Sequence, residues 1–151
     1  MKKLVALTSV FILAAAFSFC SDEYANNNVS TISFMLDGVQ KTFTSVTINH
    51  EVNTEEQHTW QEITAKNKST NEKVYFEIEK GYTGSNSFDG FVYSTNVTDY
   101  SMGWDAFTSS ATVNNNKKLE GTFSGKVKQF NIATQKNETH IITNGSFTIA
   151  K

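Results

Sequence analysis

The stretch Leu119-Glu120-Gly121-Thr122-Phe123-Ser124-Gly125-Lys126-Val127-Lys128 decides the fold of this chain. Leu119, Gly121, Phe123, Gly125 and Val127 share one parity, while Glu120, Thr122, Ser124, Lys126 and Lys128 take the other. A period of two belongs to an extended chain, whose successive side chains point to opposite faces, and one apolar face beside one wet face marks a half-buried strand. The last arm repeats the pattern with Ile141, Thr143, Gly145, Phe147 and Ile149.

Moving outward, Val74, Phe76 and Ile78 alternate with Tyr75, Glu77 and Glu79, and Ile32, Phe34 and Leu36 lead into Asp37-Gly38. Asp-Gly between two apolar-bearing runs predicts a type I′ hairpin, because both central residues of that turn need positive φ. The second arm carries Val39 and Phe43 and then Val46 and Ile48, a change of parity that would turn the wrong face inward. A bulge or bend near Thr44-Ser45 is therefore predicted. Trp60 to Lys66 is a weaker strand, Asn67 to Glu72 has turn composition, and Phe91-Val92-Tyr93 and Ala111-Thr112-Val113 are shorter strand candidates. Thr54-Glu55-Glu56-Gln57 has the spacing of a helix capping box, but no apolar stripe follows it, so at most one helical turn could form. The expected architecture is all-β: a single antiparallel β-sandwich or barrel-like domain of about eight strands over residues 30–151, which hides its apolar faces and manages its edges.

Composition narrows the function classes. The chain has 151 residues, one domain's length, and 38% hydrophobic residues supply a core. Its 13 basic residues are all lysine, against 15 acids, so no arginine can fork onto phosphate, and no lysine-rich amphipathic helix is present. Nucleic acid is excluded as a partner on that weak electrostatic footprint.

Residues 1–19 differ from the rest. Lys2 and Lys3 form a positive start, and Leu4 to Phe19 is a mostly apolar run of secretory length, read as a signal peptide. The run stops at Cys20, the only cysteine, which is followed by Ser21-Asp22-Glu23. An unpaired thiol on a secreted protein is prone to oxidation and to pairing between molecules, so a lone cysteine at this junction calls for another role. Residues 20–29, rich in asparagine, suit a flexible tether. Removing Lys2 and Lys3 leaves the remaining chain more acidic than its formal net charge of −2.

The junction resembles the lipobox of bacterial lipoproteins, which implies that Cys20 is lipidated and anchors the chain to the membrane. Asp22 and Glu23 resemble the surface-export signal of Bacteroidota lipoproteins, implying an outer-membrane, surface-exposed location in the cell envelope. Phe19 departs from the pattern, which usually has Gly, Ala or Ser there. The rival cleavage, after Ala14-Ala15-Ala16, would release a soluble chain and leave Cys20 unexplained. Leu119 to Ser124 followed by Ile142 to Phe147 looks like the closing G-T-F-S … T-x-G-x-F hairpin of small Bacteroidota lipoproteins of unknown function, and the Asp37-Gly38 hairpin fits the same pattern. That resemblance implies an all-β lipoprotein and no catalysis.

No residue constellation supports an enzyme. Gly121-Thr122-Phe123-Ser124-Gly125 is not a G-x-S-x-G nucleophile elbow and lies inside an alternating strand. His50, His58 and His140 form no H-x-x-x-H pair, so no metal is expected, and no cofactor motif is present. The Asn-x-Ser/Thr triplets at Asn28, Asn67, Asn96, Asn137 and Asn144 follow from the high Asn, Ser and Thr content.

One segment stands apart. Gly81 to Phe107 breaks the alternation and sets Tyr82, Tyr100 and Trp104 beside Asp89, Asp99 and Asp105 among glycines and serines. Aromatic faces offer flat apolar platforms and carboxylates accept hydrogen bonds from hydroxyls, so Tyr82, Asp89, Tyr100, Trp104 and Asp105 form a candidate glycan or small polar ligand site on loops. The alternative is structural: the aromatics plug one end of the domain and the aspartates cap turns. Two functions follow, a structural or protein-interaction lipoprotein, or a cell-surface binding module.

Overall fold

The computed structural model describes residues 29–54, 57–131 and 134–151, with all of their side chains except those of Trp104 and Asp105. Residues 1–19, read above as a signal segment, Cys20, most of the predicted tether and Glu55-Glu56 lie outside the described residues. The described chain is all-β and antiparallel, and it contains no helix. Its strands are β1 (Thr31–Leu36), β2 (Val39–Phe43), β3 (Ser45–Asn53), β4 (His58–Lys66), β5 (Lys73–Glu79), β6 (Gly84–Ser85), β7 (Gly90–Ser94), β8 (Asp99–Asn114), β9 (Lys118–Asn131) and β10 (Lys136–Ala150).

These strands form one sheet in the order β2-β1-β10-β9-β8-β7-β5-β4-β3, with β6 paired to β8. The two ends of that path, β2 and β3, are consecutive in the chain and separated only by Thr44, so the sheet curls into a nearly closed barrel. Ten strands replace the expected eight or so, because two-residue β6 is an addition and one long strand is split at Thr44. With β2 and β3 taken as one bent strand, the wall has the size at which side chains just fill the interior.

The bend lies where the parity change predicted it. Phe43 is fully buried, whereas Val46 and Ile48, on the other parity, pack against the core from beyond Thr44. Asp37 and Gly38 have φ of 48° and 82°, as a type I′ turn requires.

The expected parity of the last strand needs correction. Ile142, not Ile141, is buried, and Ile141 is 50% exposed. Ile142 faces Gly125 and Gly145 faces Phe123, so β10 carries one residue more than β9 between these pairs. That bulge, with Asn144 at φ 53°, restores Gly145, Phe147 and Ile149 to the inner parity. Thr143 precedes the bulge and belongs with Ile141, off that parity.

The core is dominated by phenylalanine: Phe34, Phe43, Phe76, Phe88, Phe91, Phe123 and Phe147 are all buried. Glycines in β9 and β10 make room for these rings. A Cβ at Gly121 would lie 2.4 Å from Phe147 Cζ and 2.1 Å from the Ser110 carbonyl oxygen, and one at Gly145 would meet the Phe123 ring at 2.7 Å. The G-T-F-S-G run is thus a packing pattern, in which inward glycines admit rings from neighbouring strands and outward Thr122 and Ser124 face water.

The seam between β2 and the β4–β5 loop is joined by side chains instead of a ladder. Glu72 Oε1 accepts hydrogen bonds from Lys41 Nζ and the Tyr93 hydroxyl, both at 2.6 Å, Oε2 accepts one from Thr70, and Asn67 Nδ2 donates to the Thr42 carbonyl. Burial pushes the Glu72 carboxyl up, but the hydrogen bonds from Lys41, Tyr93 and Thr70 outweigh it and hold the group below its usual range. Burial and the neighbouring Glu72 carboxylate both push the Tyr93 hydroxyl up.

Candidate functional site

The connection from β5 to β7 begins as a tight turn and is fastened at every step. Lys80 N–H donates to the Thr59 carbonyl, Tyr82 N–H to Glu79, Asn86 N–H to Ser109 and Asp89 N–H to Glu77. Gly81 and Gly84 have φ of 86° and 128°, and the Tyr82 ring lies over Gly84, with its hydroxyl donating to the Ser85 carbonyl. Phe88 then drops into the core, stacked on Phe76 at 4.2 Å, and its N–H donates to Ser109 Oγ. A loop held this firmly can present side chains without a large ordering cost on binding.

Beneath it lies a polar support. Asn114, only 7% exposed, donates from Nδ2 to the carbonyls of Glu79 and Tyr82, while its Oδ1 accepts from Gln61 Nε2 and Lys151 Nζ. Burial, and secondarily Lys80, pull the Lys151 ammonium below its usual range.

Above this support, Trp60, Glu79, Tyr82, Asn86, Ser87, Phe88 and Asp89 line a groove of about 210 Å³. It adjoins a second groove of about 300 Å³, which shares Asn86, Phe88 and Asp89 and adds Met102, Phe107 and Ser109. Glu79 is engaged by His58 at 2.6 Å. In contrast, the Asp89 carboxylate and the Asn86 amide have no partner among the described residues, and the buried Ser87 hydroxyl has none either. The site therefore offers a free acceptor and a donor–acceptor amide beside the rings of Trp60, Tyr82 and Phe88, with a buried, unpartnered hydroxyl in its lining.

Of the residues singled out from sequence, Tyr82 and Asp89 meet in this groove. Tyr100 does not join them. It is 7% exposed and packs against Tyr93 and, edge to face at 4.6 Å, against His140. β7 lies where Phe91-Val92-Tyr93 predicted a strand, but the expectation that all five site residues sit on loops needs correction, since Tyr100, Trp104 and Asp105 belong to β8 and only Tyr82 and Asp89 lie between strands. Alternation fails there because β8 takes five steps from Met102 to Phe107 while β9 takes two from Val127 to Gly125. Trp104 and Asp105 lie in that bulged stretch, and their side chains are outside the described set. Trp60, Asn86 and Ser87 are the residues that sequence reasoning missed. Trp60 belongs to a strand 22 residues before Tyr82, and only the β4–β5 pairing of Trp60 with Glu79 brings it to the loop.

The described residues contain no group of three His, Cys, Asp or Glu side chains able to hold a metal ion. They also contain no helix long and apolar enough to cross a membrane. Compared with protein-family models, curated proteins and solved structures, the chain matches none.

Proposed function

We propose that this chain is a lipid-anchored protein of the bacterial outer membrane whose barrel binds a polar, hydroxyl-bearing ligand, in the first instance a glycan, without transforming it. The observation that supports binding is the groove in which the side chains of Asp89, Asn86 and Ser87, without partners among the described residues, sit beside Tyr82 and Trp60. Sugars present hydroxyls that donate to carboxylates and apolar ring faces that lie on aromatic platforms, and this groove supplies both. The anchor rests on residues 1–19, Cys20 and Ser21-Asp22-Glu23, which resemble a lipoprotein leader and export signal.

Thermal unfolding of the chain against a panel of neutral mono- and polysaccharides tests the site. Ligand at about a hundred times its dissociation constant stabilises by roughly 2.7 kcal/mol, a rise of several degrees for a domain this size. Trp60→Ala and Tyr82→Ala should abolish that rise; a rise that survives both variants, or none with any sugar, would overturn the reading.

The protein-interaction role has one observation in its favour. Among the described residues β3 is laddered to β4 alone, and from Ser45 to Val52 its other edge carries no strand, with Glu51 the sole charged residue of that stretch. A partner that adds a strand there would be the occupant. Thr47→Pro, which removes a donor from that strand, should then weaken capture of the partner and leave any sugar response intact.

A further inference from the structure

We infer that the barrel carries a second site, for a phosphate-type oxyanion, built on Lys66, Lys68 and Lys73 at the end opposite the aromatic groove. The β4–β5 and β7–β8 connections both join an outgoing to a returning strand at that end, whereas the β5–β7 connection carrying Tyr82 and Asp89 lies at the other. There, Ser45, Lys66, Asn67, Lys68, Asn71, Lys73, Thr95 and Asn96 line a groove of about 490 Å³.

The decisive feature is the register. Lys66 of β4 stands directly opposite Lys73 of β5. Both are exposed while their neighbours Ala65 and Val74 are fully buried, so the two side chains leave the same outer face. Facing residues in such a pair have Cβ atoms about 5 Å apart, and like charges placed that way destabilise the sheet. Lys68, in the adjoining loop, adds a third charge to the same groove.

None of the three has a carboxylate partner among the described residues, although the chain holds 15 acids and pairs Lys41 with Glu72 and Lys118 with Glu120. Glu72 lies close by in sequence, but its two oxygens are taken by Lys41, Tyr93 and Thr70. Asn67 is occupied within its own turn, accepting from Ser69 and Thr70. The amides of Asn71 and Asn96 have no partner among the described residues and add donors at the rim.

An otherwise acidic chain thus concentrates three unneutralised ammonium groups around one concavity, two of them at mutual cost. An anion seated between them turns that repulsion into attraction. A phosphate group fits the donor set, since its oxygens accept from several ammonium and amide N–H groups at once and lysine binds it as a point charge without needing the guanidinium fork.

The test titrates the full chain with inorganic phosphate and pyrophosphate, following thermal unfolding and amide chemical shifts at low salt. Phosphate should raise the midpoint and move the amides of Lys66 to Lys73 and of Thr95-Asn96, and added sodium chloride should diminish both effects. The double variant K66Q/K73Q should bind phosphate at least about tenfold more weakly, the loss of one charge-assisted hydrogen bond. Without any anion, Lys66→Gln alone should raise the midpoint, whereas Lys126→Gln on the distant wall should change neither quantity. Sedimentation with phosphatidylglycerol and phosphatidylcholine vesicles separates the sources. Binding to the former alone assigns a lipid headgroup, and phosphate binding without vesicle binding assigns a soluble or glycan-borne phosphate. Equal phosphate response in the chain and in K66Q/K73Q, or no response in either, would overturn the site.

Discussion

The wall formed by β9 and β10 and the seam between β2 and the β4–β5 loop belong to the same barrel but are held by different forces. In the wall, a ladder running from Lys136↔Asn131 to Ala150↔Lys118 is backed by phenylalanine rings seated over inward glycines. At the seam the closing contacts described are side-chain bonds converging on Glu72 and the bond from Asn67. Dispersion and burial hold the wall and are indifferent to pH, whereas the seam depends on one carboxylate staying charged. Both candidate grooves lie at the ends of the barrel, where loops and side chains take over from the ladder.

The sharpest way to break the contrast is in the wall. Phe147→Ala should cost about 4 kcal/mol, a fully buried ring lost from a packed core, measured by urea unfolding. Gly121→Ala should cost about 3 kcal/mol by the opposite route, since its new Cβ would lie 2.1 Å from the Ser110 carbonyl oxygen and against the Phe147 ring. If Gly121→Ala is neutral, the ring-over-glycine account of the wall fails.

At the seam the effect is smaller and depends on pH. Glu72→Gln should cost about 2 kcal/mol at neutral pH, because Lys41 loses its partner in a half-buried setting. A carboxyl whose folded pKa is depressed contributes stability that is present above its unfolded value and is lost as pH falls through the folded one. Stability of the parent chain should therefore decline as pH drops through and below the ordinary glutamate range. That decline should be shallower in Glu72→Gln. Asp37 adds a lesser contribution of the same sign: its hydrogen bonds from His140 and from the Ile141 N–H hold it below the usual aspartate range, but it is well exposed. Hydrogen exchange across this pH range should show seam amides opening before those of β9 and β10. Simultaneous opening of both regions would erase the distinction.

The aromatic groove was only partly legible in advance. Tyr82 and Asp89 stand seven residues apart and meet through a local turn, so composition pointed to them. Tyr100 resembled them in sequence, yet its strand pairs with β7 and carries the ring into the core beside Tyr93. The opposed lysines were invisible, because a face-to-face charge pair exists only once a register has been chosen.

What the residues determined alone was local and periodic. Alternation fixed strand type and the buried face of β1, β5 and β9, Asp37-Gly38 specified a hairpin, and the parity change at Thr44 marked a bend. Tertiary structure decided the rest: that the bend closes a barrel, that a bulge at Asn144 puts Ile142 rather than Ile141 inside along with Gly145, Phe147 and Ile149, and that Trp60 reaches Tyr82. The physical reason is that a period of two is written into a single strand, whereas strand order and register depend on which rings fill which glycine gaps across neighbouring strands.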